Sequence, residues 1–154
     1  MDKESATISI HSNYISSVGG PVLIAKGIPI KQILGDMYNK YNKFKLVLNT
    51  HVANYSTTAG NNTQLFIRVS GLDFTNTTEY NKNMYLNRNP IFLLESSRTI
   101  TVKTQTSAIC GAVFNKPSSP NIDLTITFLK TDLSVVVYNV GTNYFVFSIY
   151  GVEE

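Results

Sequence analysis

The sequence predicts an all-β chain, an antiparallel two-sheet sandwich of the jelly-roll type with about 8–10 strands and one short helical turn near 29–38. Three observations carry that prediction. Apolar residues alternate with polar ones at a period of two along most of the chain. The alternating runs are short and regularly separated by turn-forming segments, with one helical stretch between them. Charged residues make up only 15% of the chain, while Asn and Thr occur 16 times each, a bias towards turns and solvated strand faces.

In chain order, residues 6–10 (ATISI) read as a half-buried strand, and after the SSVGGP break residues 22–25 (VLIA) form a second. Ile30, Ile33, Leu34, Met37 and Tyr38 recur at helical spacing behind Pro29, and Gly35 limits this element to one or two turns. From residue 43 the period changes to two. Phe44, Leu46 and Leu48 face one way and Lys43, Lys45, Val47 and Asn49 the other, in a strand extending to Val52. Leu65, Ile67 and Val69 alternate with Phe66, Arg68 and Ser70 up to Gly71, after a Thr/Gly/Asn loop at 56–63. Residues 72–89 are the most loop-like stretch, with residues 84–86 (MYL) a candidate short strand.

The second half is denser. Residues 91–94 (IFLL), 99–103 (TITVK) and 108–114 (AICGAVF) read as strands, with Gly111 marking a bulge or a close approach. A KPSSP loop at 116–120 precedes the clearest alternation, Ile122, Leu124, Ile126 and Phe128 against Asp123, Thr125 and Thr127. Residues 133–138 and 144–150 complete the set, joined by a turn at 139–143. With no helices to cross over between strands, a parallel βαβ sheet is excluded. An immunoglobulin-like sandwich ranks second because the Cys…Trp…Cys pattern is missing. The whole of 1–154 reads as a single domain, with residues 1–5 as a flexible arm.

Chemistry is sparse. His11 and His51 are isolated and belong to no metal-spaced motif, and no nucleophile elbow, P-loop or dinucleotide fingerprint occurs. The ten acids are scattered; Asp73 and Glu79 share a loop but lack the carboxylate density of a calcium site. Cys110 is the single cysteine and lies in a small apolar run, which favours an inert buried thiol. No catalytic residue, metal ligand or cofactor-binding residue is therefore assigned, no cofactor is expected, and the chain reads as no enzyme. A net charge of +3 spread along the chain gives no basic stripe for specific nucleic-acid binding. No apolar run is long enough to span a membrane as a helix.

The last strand differs from the others. Tyr144, Val146, Ser148 and Tyr150 oppose Phe145, Phe147 and Ile149, so both faces are mostly apolar. One reading is a central strand whose second face packs under a loop. The other is a subunit interface carried by Tyr144, Val146 and Tyr150, since aromatic patches mark contacts between chains.

The polar N-terminal arm, the TISI strand, the short helical turn, KYNKFKLVLN, LFIRVSGLDF, DLTITF and the closing FVFSIYGV follow in an order that resembles a known family. They resemble the small single-jelly-roll capsid proteins, of penton or minor capsid type, of large double-stranded DNA viruses and virophage-like viruses. The resemblance implies a structural virion protein, made as a soluble protein in the host cytoplasm, with no catalytic residues. It implies a homo-oligomer (pentamer or trimer) that docks on other capsid proteins. The closing strand also resembles the trimeric tumour-necrosis-factor-like heads, which are secreted, whereas MDKESATISIH carries no apolar signal core. The alternative function is a ligand-binding head, a fibre tip or lectin-like module that recognises glycans or receptors through the loops at 56–63 and 72–89.

Overall fold

The structure is a computed structural model; it describes residues 4–11, 16–18, 22–54, 64–75, 79–81, 84–87, 89–95, 101–104, 111–130, 134–135 and 142–153. Among these residues twelve strands and two short helices follow in the order β1 (Ser5–His11), β2 (Ser16–Val18), β3 (Val22–Ile28), α1 (Ile30–Leu34), α2 (Met37–Lys40), β4 (Lys43–Asn54), β5 (Gln64–Ser70), β6 (Glu79–Asn81), β7 (Met84–Asn87), β8 (Ile91–Glu95), β9 (Thr101–Thr104), β10 (Ala112–Asn115), β11 (Ile122–Leu129) and β12 (Thr142–Val152).

Two antiparallel sheets hold most of them. Sheet A runs β1-β12-β4-β10, with β9 also paired to β4, and sheet B runs β2-β3-β11-β5-β8. The pairing is nested. β1 pairs with β12, β3 with β11, β4 with β9 and β10, and β5 with β8, so the first half of the chain meets the second half in reverse order. A long antiparallel hairpin rolled over on itself gives this order. It is the jelly roll, whose two sheets face each other across one core.

Sequence alternation explains which side chains enter that core. In sheet A the inner rows are Ile10–Phe145–His51, Ile8–Phe147–Leu48, Ala6–Ile149–Leu46–Ala112 and Gly151–Phe44–Phe114. In sheet B they include Leu23–Ile126–Val69 and Phe128–Ile67–Phe92. Aromatic contacts tie the two sheets together: Phe92 meets Phe147 edge-on at 6.1 Å, and Phe128 meets Phe145 at 6.0 Å. Such offset and edge-to-face contacts add about 0.5–1.5 kcal/mol each beyond area burial.

The predicted elements appear with four differences. The strand count is twelve rather than eight to ten, because the short strands β2 and β6 were not singled out by the alternation, and the candidate at 84–86 forms β7 by pairing with β6. The helical turn is two helices, separated where Gly35 adopts a φ of 57°. Asn143, placed in a turn by the sequence, is fully buried inside β12. Phe74 lies in the loop-like stretch yet is a core residue, bridged to Phe114 by backbone and packed on its ring at 6.1 Å. The loop at 56–63, Cys110, and most of the predicted strand at 133–138 lie outside the described residues.

Residues 71–75 carry the chain from sheet B to the free edge of β10. Thr75 N–H donates to the Val113 carbonyl at 2.8 Å, and Asn115 N–H donates to the Asp73 carbonyl at 2.9 Å. Gly71 makes the crossing feasible: its φ is 116°, and a Cβ there would be driven into the backbone carbonyl of Asp123. Gly111 is tight for a different reason, because the flexible stem of Lys45 lies across it. Gly71→Ala is therefore expected to cost more than about 3 kcal/mol of stability, combining strain at positive φ with a backbone clash. Gly111→Ala should cost less than about 1 kcal/mol, since the lysine stem can swing aside. Urea unfolding of the two variants checks the contrast.

Candidate functional site

The residues singled out as a subunit interface lie together on the outer face of sheet A. β12 is the second strand of that sheet, flanked by β1 and β4. Its inward residues Phe145, Phe147 and Ile149 are fully buried, which leaves Tyr144, Val146, Ser148 and Tyr150 on the outer side. The ladder sets four transverse rows there. Tyr150 stands between Ser5 and Lys45, with Val113 next to Lys45; Ser148 lies between Thr7 and Val47, Val146 between Ser9 and Thr50, and Tyr144 is opposite His11.

By strand spacing, Tyr144 and Tyr150 are about 20 Å apart along the strand, and the four strands span about 14 Å. Tyr144, Val146 and Tyr150 are each half-buried, while Ser5, Thr7 and Ser9 are exposed. Val47 and Ser148 are buried on this outer face, at 7% and 6% exposure. Lys45 is charged and its stem lies across Gly111, and the next row on the same face, Val152–Lys43–Asn115, adds Lys43. The result is a surface of hydroxyl, valine and tyrosine side chains, of which the tyrosines are the residues enriched at the centre of protein–protein contacts.

A bulge shapes one end of this surface. The β4–β12 register shifts between Val146 and Phe147, where Val146 is opposite Thr50 and Phe147 opposite Leu48. Asn49 is the extra residue, and its side-chain amide donates to the Ser148 hydroxyl. The shift also decides the fate of the histidines. Simple alternation from Leu48 would put His51 on the outer face; the extra residue turns it into the core instead. There it is fully buried, stacked on Phe145 at 4.7 Å, with Nε2 2.8 Å from the Asn143 Oδ1. His11 is on the opposite face, 5.8 Å from the Tyr144 ring. The two histidines are thus separated by the sheet. Among the described residues no three His, Cys, Asp or Glu side chains gather as a metal site.

An oxygen can only accept, so the His51–Asn143 contact assigns the proton to Nε2 of a neutral ring. Burial holds the imidazole well below its ordinary value, to about 4, against the smaller opposing pull of the Asn143 hydrogen bond. Because the folded value lies below the unfolded one of about 6.5, this stabilisation is complete above pH 6.5. It declines as the pH falls from there towards 4, by up to about 3 kcal/mol in total. His51→Phe keeps a ring against Phe145 and removes the titration. The variant should lose stability at neutral pH, since the buried Asn143 Oδ1 loses the hydrogen bond from His51, by about 1–3 kcal/mol. Its unfolding free energy should fall less steeply than the parent's between pH 6.5 and 4, as thermal melts across that range will show.

No protein-family model matches the sequence, and no curated protein matches it. Among solved structures, the cryo-EM structure of the virus-like particle of giant freshwater prawn Macrobrachium rosenbergii extra small virus is similar over the whole chain. The identity is 10%, the match covers 100% of this chain and 82% of that one, and the TM-score is 0.32. At that TM-score no residue correspondence follows, and the fold assignment stands on the strand pairing described above.

Proposed function

We propose that this chain is a structural protein of a virion shell, a single-jelly-roll penton or minor capsid protein that self-assembles and docks on other shell proteins. The observation that carries the reading is the outer face of sheet A, a broad surface of tyrosine, valine and hydroxyl side chains with two lysines, Lys43 and Lys45, the second with its stem laid across Gly111. Subunit contacts are built on such surfaces, because apolar contact area is gained there with few charges to desolvate. The nested strand pairing agrees with the fold that the sequence resemblance implies, although a fold alone does not fix a function.

In this reading Tyr144, Val146 and Tyr150 meet a neighbouring subunit. Tyrosine suits the role because it brings a large rigid ring and a hydroxyl that tolerates either water or a partner. The face is built on four adjacent strands and not on loops, so its geometry is preset before contact. The pentameric or trimeric state, the capsid partners and the virion location are part of the same proposal. Among the described residues no helix is long and apolar enough to cross a membrane.

Size-exclusion chromatography with light scattering tests the interface. The parent is expected to elute as an oligomer in a concentration-dependent equilibrium. Tyr144→Glu and Val146→Glu should shift it to monomer, each weakening association at least tenfold, with circular dichroism and melting temperature unchanged. A parent that stays monomeric at high concentration and ignores other shell proteins would sink the proposal. A glycan-array signal that depends on residues 72–89 would favour a ligand-binding head instead.

A further inference from the structure

At the helical end of the sandwich, one tyrosine gathers two lysines. Tyr38 follows α1 and lies half-buried in α2, where it packs on the core. Its hydroxyl donates to the Pro117 carbonyl at 2.7 Å, which fixes the ring against the 116–120 loop. Lys31 of α1 places its ammonium 5.3 Å from the ring centroid, and Lys116 of that loop places its own 5.0 Å from the same centroid. The two nitrogens are therefore no farther apart than the sum of those distances.

The backbone adds to the fixation, since Lys31 N–H donates to the Pro120 carbonyl at 3.2 Å and Lys116 N–H to the Asn42 carbonyl at 2.9 Å. Among the described residues neither ammonium meets a carboxylate, and the ion pair at this end is between Lys40 and Glu4, at 2.8 Å. That pairing holds Lys40 above its ordinary value and Glu4 below its own, each chiefly through the hydrogen bond to the other.

Two like charges collected on one ring repel each other, and cation–π attraction at an exposed site offsets only part of that cost. An oxyanion placed against both would relieve it through charge-assisted hydrogen bonds. Ser118 is an exposed hydroxyl two residues after Lys116 on the same loop. We propose that Lys31 and Lys116, gathered around Tyr38, form a binding site for a single oxyanion, one carboxylate or phosphate group. The site is too small for a polyanion: Lys40 is already neutralised and Asp36 lies exposed in the same helical segment, so a run of phosphates would find no continuing line of cations. The group arrives either as a free anion or as an acidic side chain of a second copy of the chain. The second source rests on the assembly reading, and the first does not.

Equilibrium dialysis of the full chain with radiolabelled inorganic phosphate, at constant ionic strength, tests the site directly. Saturable uptake approaching one phosphate per chain is expected, weakened at least tenfold in Lys31→Ala/Lys116→Ala and unchanged in Lys26→Ala/Lys130→Ala. Light scattering on the same samples separates the sources. If a second copy supplies the carboxylate, phosphate and the Lys31→Ala/Lys116→Ala change will each dissociate the oligomer; if the anion is free, neither will. Absence of saturable phosphate uptake together with an assembly state indifferent to Lys31→Ala/Lys116→Ala overturns the proposal. So does uptake lost equally in the control variant. An effect of Tyr144→Glu on assembly has no bearing on phosphate uptake, so the two readings fail separately.

Discussion

The ladder between β4 and β12 is the constraint on which the other elements depend. It runs from Thr142 opposite Asn54 to Val152 opposite Lys43, with one shift, and every other strand of sheet A attaches to one of its two members. Phe44, Leu46 and Leu48 on one strand and Phe145, Phe147 and Ile149 on the other form the floor against which sheet B closes. Because side chains alternate with a period of two, the register of this single pair fixes which residues of the molecule face the core and which face outwards. The outer tyrosines stand where they do because the phenylalanines between them are held inside.

Much of this was legible in the sequence. The alternation of Ile122 to Phe128 against Asp123 to Thr127 can be satisfied only by a strand with one wet face, and β11 follows it residue by residue. The same holds for Phe66 to Ser70, where Ile67 and Val69 are buried between half-buried neighbours, and for the two faces of β12. Other features were hidden because they depend on partners distant in the chain. Nothing around Asn49 marks it as a bulge. Its extra residue is defined by the register of β12, almost a hundred positions away, and with it the inward turn of His51. Phe74 looked like a loop aromatic because its core role comes from the edge of β10.

The candidate sites differ in the same respect. Tyr144, Val146 and Tyr150 were singled out from one strand's own pattern, apolar on both faces, and the ladder places them on one outer face. The Lys31, Tyr38 and Lys116 cluster was not found. Its members come from a helix, its successor and a loop nearly eighty residues later, and no spacing rule links them. Gly151 is similar: a glycine near the end of a strand has many explanations, and only the fold shows the Tyr41 ring lying where its side chain would be.

The position of β1 has a mechanical consequence. Among the described residues it is an edge strand bonded within its sheet to β12, with Ser5 opposite Tyr150. A tether pulling on Glu4 and another on Glu153 would act from the same end of two antiparallel neighbours. Tension would open their hydrogen bonds one after another, like a zip, and would not load them all in shear. The sandwich is thus soft to traction along that line, while pressure on the outer face of sheet A is borne by four strands and a packed aromatic core.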